Sequence, residues 1–189
     1  MSNKTQFGLK EWASVVEHIG QGKQTFVVRN AFPKKEKFIL YPTFSYYTKI
    51  MNKPELLTKF FQTQYADFVK QTSEETLKRA KDEMFVKIAY WAECEPKNII
   101  QVKGKSKWEA LEPHHMWNNN HIFDYIIDNT AFLWVLRVHK YDEPIMMGRI
   151  PGGGPPVWYK HPAEIELTKS KPVLSDAEFE KVLGEIKKI

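Results

Sequence analysis

The chain has 189 residues, with 28 Lys+Arg against 23 Asp+Glu for a net charge of +5, and it is 42% hydrophobic and 14% aromatic. That length supports one well-buried core and is short for two, so a single domain over 1–189 is expected, and the apolar fraction argues against disorder. A lone cysteine, Cys94, excludes an intrachain disulfide and a multi-cysteine zinc site; no run approaches the ~20 apolar residues of a membrane helix, and the polar start Met1–Lys10 has no signal-peptide core, so a cytoplasmic location is the default expectation.

In chain order, Leu9, Trp12, Ala13, Val16 and Ile19 recur at helical spacing and predict a helix over 9–20, ended by Gly20 and Gly22. Thr25-Phe26-Val27-Val28 predicts a short buried strand running into Arg29. Phe38-Ile39-Leu40-Tyr41 predicts another, closed by Pro42, which has no N–H for a ladder. Residues 54–71 carry an apolar helical face of Leu57, Phe60, Phe61, Tyr65, Phe68 and Val69, and Thr72 with Glu75 starts a second helix over 73–82. This pair reads as a helical insertion over 54–82.

Sheet-like patterning covers 84–93, and Ile99, Ile100 and Val102 suggest a further strand. Residues 108–128 are mixed, with a helical turn from Ile122 to Ile127. The strongest strand is 131–139, apolar on both faces until Arg137, as a central strand should be. A glycine-proline loop over 151–156 leads into Val157-Trp158-Tyr159, a strand, and 165–167 suggests another. Ser175 and Glu178 form a capping box for a helix over 176–188. Short strands bracketed by helices without regular alternation predict α+β, built on a small mixed sheet or barrel with an N-terminal helix, a helical insertion and a C-terminal helix.

Basic and aromatic residues interleave at Lys103-Lys105-Lys107-Trp108, at Arg137-His139-Lys140-Tyr141 and at Trp158-Tyr159-Lys160-His161. Cations that track phosphates beside rings that stack bases are what a single-stranded nucleic-acid site requires. Arg29 at a strand exit presents a donor fork suited to phosphate or a base edge, or else a salt bridge to Glu11 or Glu17. Lys34 and Lys35 follow it, and Arg149 precedes the glycine loop. His114, His115, His121 and His139 have no spacing that converges on a metal, and Cys94 in a sheet-like run reads as a small buried hydrophobe. Gly152-Gly153-Gly154 leads into prolines and a strand, which suits a binding hairpin better than a phosphate loop.

The helix–glycine–strand–arginine arrangement resembles the ASCH branch of the PUA-like superfamily, with Gly22 and Arg29 at the outer spacing and Thr25 where a threonine is frequent. Gln24 stands at that pattern's lysine position and Val27 at its acidic position. The resemblance implies a PUA-like β-barrel, and the departure at Val27 moves weight away from catalysis. A broader set of segments, Leu9-Lys10-Glu11-Trp12, Phe38 to Thr43, Leu136-Arg137-Val138-His139 with Glu143-Pro144, and Trp158, resembles the domain-of-unknown-function family 1802. That pattern has Lys-Gly-Gly after the arginine, where this chain has Asn30-Ala31-Phe32.

The function expected is non-catalytic binding of nucleic acid, RNA first, in a basic aromatic cleft. Arg29 is placed in the cleft, Lys34, Lys35, Lys103, Lys105 and Arg137 are the candidate phosphate contacts, Trp108 or Trp158 the candidate stacking ring, and Lys107, Arg149 and Lys160 further candidate nucleic-acid-binding residues. No catalytic residue, metal or cofactor is assigned. One alternative is a metal-dependent nuclease or other hydrolase acting on nucleic acid, with Glu93, Glu95 and His residues as ligands and Lys97 with Asp82 or Glu83 nearby in sequence. The other is a protein-interaction subunit whose helical insertion docks a partner through Phe60-Phe61-Tyr65-Phe68.

Overall fold

The start of the chain departs from the helix that its spacing suggests. The structure is a computed structural model that describes residues 3–43, 84–117, 122, 126, 130–150 and 157–189. In it, strand β1 covers Lys4–Trp12 and helix α1 begins only at Ala13, ending at Gly20. Leu9 fits a helical stripe by arithmetic, yet it is fully buried as one inward residue of an alternating strand, paired with Leu40 on one side and Trp158 on the other. Val15, Val16 and Ile19 keep the helical stripe and enter the core. The helix stops at the glycines as expected. Gly22 takes φ +72°, a left-handed conformation open to glycine, and its N–H donates to Ile19 O while Lys23 N–H donates to His18 O.

The described strands form two sheets. β2 (Phe26–Arg29), β6 (Thr130–Val135) and β5 (Ile99–Lys103) make an antiparallel three-stranded sheet in the order β2-β6-β5. β1, β3 (Lys37–Thr43), β4 (Phe85–Glu93), β7 (Arg137–Gly148), β8 (Trp158–Glu166) and β9 (Ser170–Pro172) make a six-stranded sheet, ordered β8-β1-β3-β4-β7-β9. Only β1 and β3 run parallel. The larger sheet is open, with β8 and β9 at its edges, so the fold is α+β on a mixed sheet and these strands close no barrel. Helix α2 (Lys105–Ala110) follows β5, and helix α3 (Asp176–Lys188) follows β9.

Three strand expectations change. Pro42 does not close β3, which continues through Pro42 to Thr43; the Thr43 hydroxyl donates to Glu11 O beside the proline, which has no N–H to give. The apolar run 131–139 is two strands, not one. It leaves the small sheet after Val135, Leu136 N–H donates to Thr25 O, and Arg137 opens β7 in the large sheet. Both faces are apolar because each half lies in a shared core. The segments at 158 and 165 are one strand, β8, with a register shift between its pairings to Phe7 and Thr5. β9 is a three-residue strand that periodicity could not find. The expected helices over 54–71 and 73–82 and the loop 151–156 lie outside the described residues. Ile126 N–H donates to Ile122 O, one turn of the helix expected there.

One face of the large sheet (Leu9, Phe38, Leu40, Ala92, Val138) shares a core with both faces of the small sheet's apolar residues, α1, α2 and α3. The opposite face carries a second cluster around Ile39, Tyr41, Ile88, Trp91, Tyr141 and Tyr159. Trp134 of β6 approaches Trp158 of β8 at 5.8 Å between ring centroids, so the central strand of the small sheet meets the edge strand β8 of the large one at a tryptophan pair.

Candidate functional site

A cleft of about 270 Å³ opens where the two sheets meet, walled by Arg29, Asn30, Ala31, Phe32, Lys34, Trp134, Val157 and Trp158. Its floor follows from register. Paired residues of an antiparallel ladder share a face, so Arg29, Phe132 and Gln101 lie side by side, with Val27, Trp134 and Ile99 in the next row and Lys103 with Thr130 beyond. Trp134 and Val27 are buried at the sheet junction. Toward Phe132, Gln101 and Lys103 the same face opens to solvent.

Arg29 forms one wall of the cleft. Its Nη2 lies 2.5 Å from Glu11 Oε2, with both side chains only 13% and 12% exposed, and its Nη1 donates to Val28 O. The guanidinium carbon sits 5.7 Å from the Trp134 ring. Glu11 belongs to β1 and Arg29 to β2, so the ion pair ties one sheet to the other. Glu11 is itself held, because its Oε1 accepts Trp12 N–H at 2.8 Å. Of the two uses foreseen for Arg29, the structure shows the salt bridge to Glu11. With its charge met in this way, Arg29 shapes the cleft and contributes little net field.

The aromatic wall is fixed from behind. Trp134 Nε1 donates to Ala31 O at 2.8 Å, which holds the 30–34 loop against the sheet. Trp158 rests edge-on against Phe38 at 5.0 Å. Phe32 is 61% exposed and leans on Phe132 at 4.7 Å, leaving its outer face to solvent. Lys34 is the remaining cation of the wall. Alternation along β8 puts Lys160 on the same side as Trp158, opposite Phe7, and Lys35 Nζ stands 4.8 Å from the Phe7 centroid. Beside Phe7 a shallow groove of about 400 Å³ is lined by Lys4, Lys35 and Lys37 among others.

The structure therefore brings Arg29, Lys34 and Trp158 together, with Lys35 and Lys160 flanking them on one side and Lys103 on the other. The remaining candidates lie elsewhere. Trp108 is fully buried under the small sheet and offers no ring to a base, because it is the apolar anchor of the short helix α2. Lys105 and Lys107 are on α2, with Lys105 3.8 Å from Glu109. Arg137 is committed to α3: it pairs with Asp176, donates to Ser175 O at 3.1 Å and lies over Phe179 at 5.1 Å. Arg149 follows the end of β7, where its N–H donates to Met84 O, on the side of Tyr41 and the second cluster.

The residues considered for chemistry also find structural places. Gln24 is buried, donating to Phe26 O and accepting Met116 N–H, which staples β2 to the segment after α2. Val27 is buried in the core, so no acid stands there. Cys94 is fully buried, and burial pushes its thiol up to about 12, which leaves no thiolate at neutral pH. Glu93 lies between Lys37 (3.6 Å) and His139 (3.3 Å), and His139 stacks on Trp91 at 4.0 Å. Burial holds His139 below the usual histidine range in spite of Glu93. Glu95 pairs with Lys97. Among the described residues, no three His, Cys, Asp or Glu side chains stand as a group that could hold a metal ion. Asp82 and Glu83 lie outside them.

Sequence reading missed Phe32, Phe132 and Trp134. Phe32 had a usable signal, since an aromatic in the polar stretch Asn30-Ala31-Phe32-Pro33-Lys34-Lys35 interleaves rings and cations as the other clusters do. Trp134 had none, because a tryptophan in an apolar run reads as core, and most of it is.

The family model described as domain of unknown function, DUF1802, matches residues 8–185. No curated protein matches the chain. Among solved structures, the chain is similar to the crystal structure of ASCH from Zymomonas mobilis, at 14% identity and a TM-score of 0.42 over 94% of this chain and 93% of that one. A single-residue variant of the same Zymomonas mobilis protein gives 13% identity and 0.44 over 97% and 98%.

Proposed function

We propose that this chain, which belongs to the DUF1802 family, binds single-stranded nucleic acid, RNA in the first instance, without catalysing a reaction on it. The observation that carries this reading is the cleft where Phe32 and Lys34 of the 30–34 loop meet Trp158 of β8, with a ring 61% exposed beside a lysine. An aromatic of that size left open at a sheet edge costs solvation, and a stacked base would recover it. Lysines on both sides, Lys103 across the small sheet, Lys160 on β8 and Lys35 beside Phe7 of β1, give a strand's phosphates cations to follow.

The reading assigns stacking to Phe32 and Trp158, phosphate contact to Lys34, Lys35, Lys103 and Lys160, and cleft geometry to Arg29 with Glu11. Fluorescence anisotropy of a labelled, unstructured RNA oligomer tests it. Binding should weaken steadily with added salt. Phe32→Ala should lose about 1–3 kcal/mol, the worth of one stack, whereas Arg149→Ala should change little. Absence of binding at ~50 mM salt, or indifference to Phe32→Ala, would reject the proposal.

A further inference from the structure

Three side-chain donors of the cleft wall are used within the protein. Trp134 Nε1–H goes to Ala31 O, Arg29 Nη1 goes to Val28 O, and Arg29 Nη2 goes to Glu11. What remains toward the opening is largely apolar: Ala31, Phe32, Val157 and the Trp158 ring. A base is told from another by donors and acceptors aimed at its edge, each bidentate pair giving roughly 1–3 kcal/mol of discrimination. Among the described wall residues these donors face inward, and Asn30 is the remaining side-chain amide.

We infer that the cleft takes one unstacked nucleobase by its face and reads no edge, so that its ligand class is single-stranded nucleic acid of any sequence. The inference rests on the binding reading above. Size allows it: a cleft of about 270 Å³ has room for one ring system. The sugar and phosphate then stay at the rim, beside Lys34. Affinity ranks by stacking area, purines above pyrimidines, because every base presents a π face.

Asn30 is the polar wall residue that separates this from an edge-reading site. The experiment compares oligo(A), oligo(U), oligo(C) and an oligomer with abasic positions, each binding to wild type, to Phe32→Ala and to Asn30→Ala. The expected result is a spread below about tenfold among the bases, a loss of about 5- to 150-fold for the abasic oligomer, and an unchanged ranking in Asn30→Ala. A strong preference for one base that Asn30→Ala removes, or an abasic oligomer that binds as well as the rest, overturns the inference while leaving a nucleic-acid binder. Failure of every oligomer to bind folded protein contradicts the binding reading itself.

Discussion

The Glu11–Arg29 pair is the contact on which the cleft most depends. Both groups are almost wholly removed from solvent, so deleting either one leaves a charge buried without its counterion. Glu11→Ala or Arg29→Ala should each cost about 3–5 kcal/mol in urea denaturation. The double replacement should cost clearly less than the sum, because the second loss removes the stranded charge. Additive costs would show that the pair is not coupled. His18 makes a second prediction at this scale. It is buried in α1 with its Nδ1 3.0 Å from Ser14 O, and burial lowers its pKa from 6.5 to about 4. The folded state therefore favours the neutral ring, while the unfolded chain takes up the proton first. The stability is whole above pH 6.5 and falls as pH drops toward 4, by about 3 kcal/mol at most. Denaturation midpoints at pH 7.5, 6 and 4.5 check the slope, which His18→Gln should flatten. Of these residues, Arg29 and its Glu11 partner were legible as alternatives from spacing alone. His18 was not, because nothing in its neighbours marks it as interior.

Helix α3 shows what local sequence can specify. Ser175 Oγ accepts Glu178 N–H at 3.3 Å, and Glu178 Oε2 accepts Ser175 N–H at 2.7 Å, the reciprocal box that the Ser-x-x-Glu spacing announced. Ser175→Ala should cost roughly 1 kcal/mol and lower the melting temperature by a few degrees. An unchanged melting curve would mean that packing of Phe179, Leu183 and Ile186 alone holds the helix. Strands were harder to read because their limits are set by partners distant in sequence. β1 looked helical until the pairings to β3 and β8 gave Leu9 an inward face. The run 131–139 looked like one strand because its apolar residues serve two sheets in turn. Close approach of strands also left a mark only in the fold: a Cβ on Gly8 would come within 2.0 Å of the Tyr159 ring, so that pairing demands glycine.

At the scale of the molecule, charge and aromatic content pointed to nucleic acid, and the fold decides which of those residues share a surface. Net charge of +5 is modest. What matters more is that Lys34, Lys35, Lys160 and Lys103 flank one aromatic cleft, while Arg137 fastens α3 and Trp108 fills the interior. Linear spacing could not separate these groups, since a lysine beside a tryptophan looks alike whether the ring points in or out. The sheet junction makes the selection, because Trp134 and Trp158 come from strands 24 positions apart and meet only when the two sheets are in place. The most direct test is ultraviolet cross-linking of an unstructured RNA oligomer to the protein, with the attached peptides mapped by mass spectrometry. The account predicts attachment at Phe32 and Trp158. Attachment confined to α2, or to the opposite face around Trp91 and His139, would contradict it.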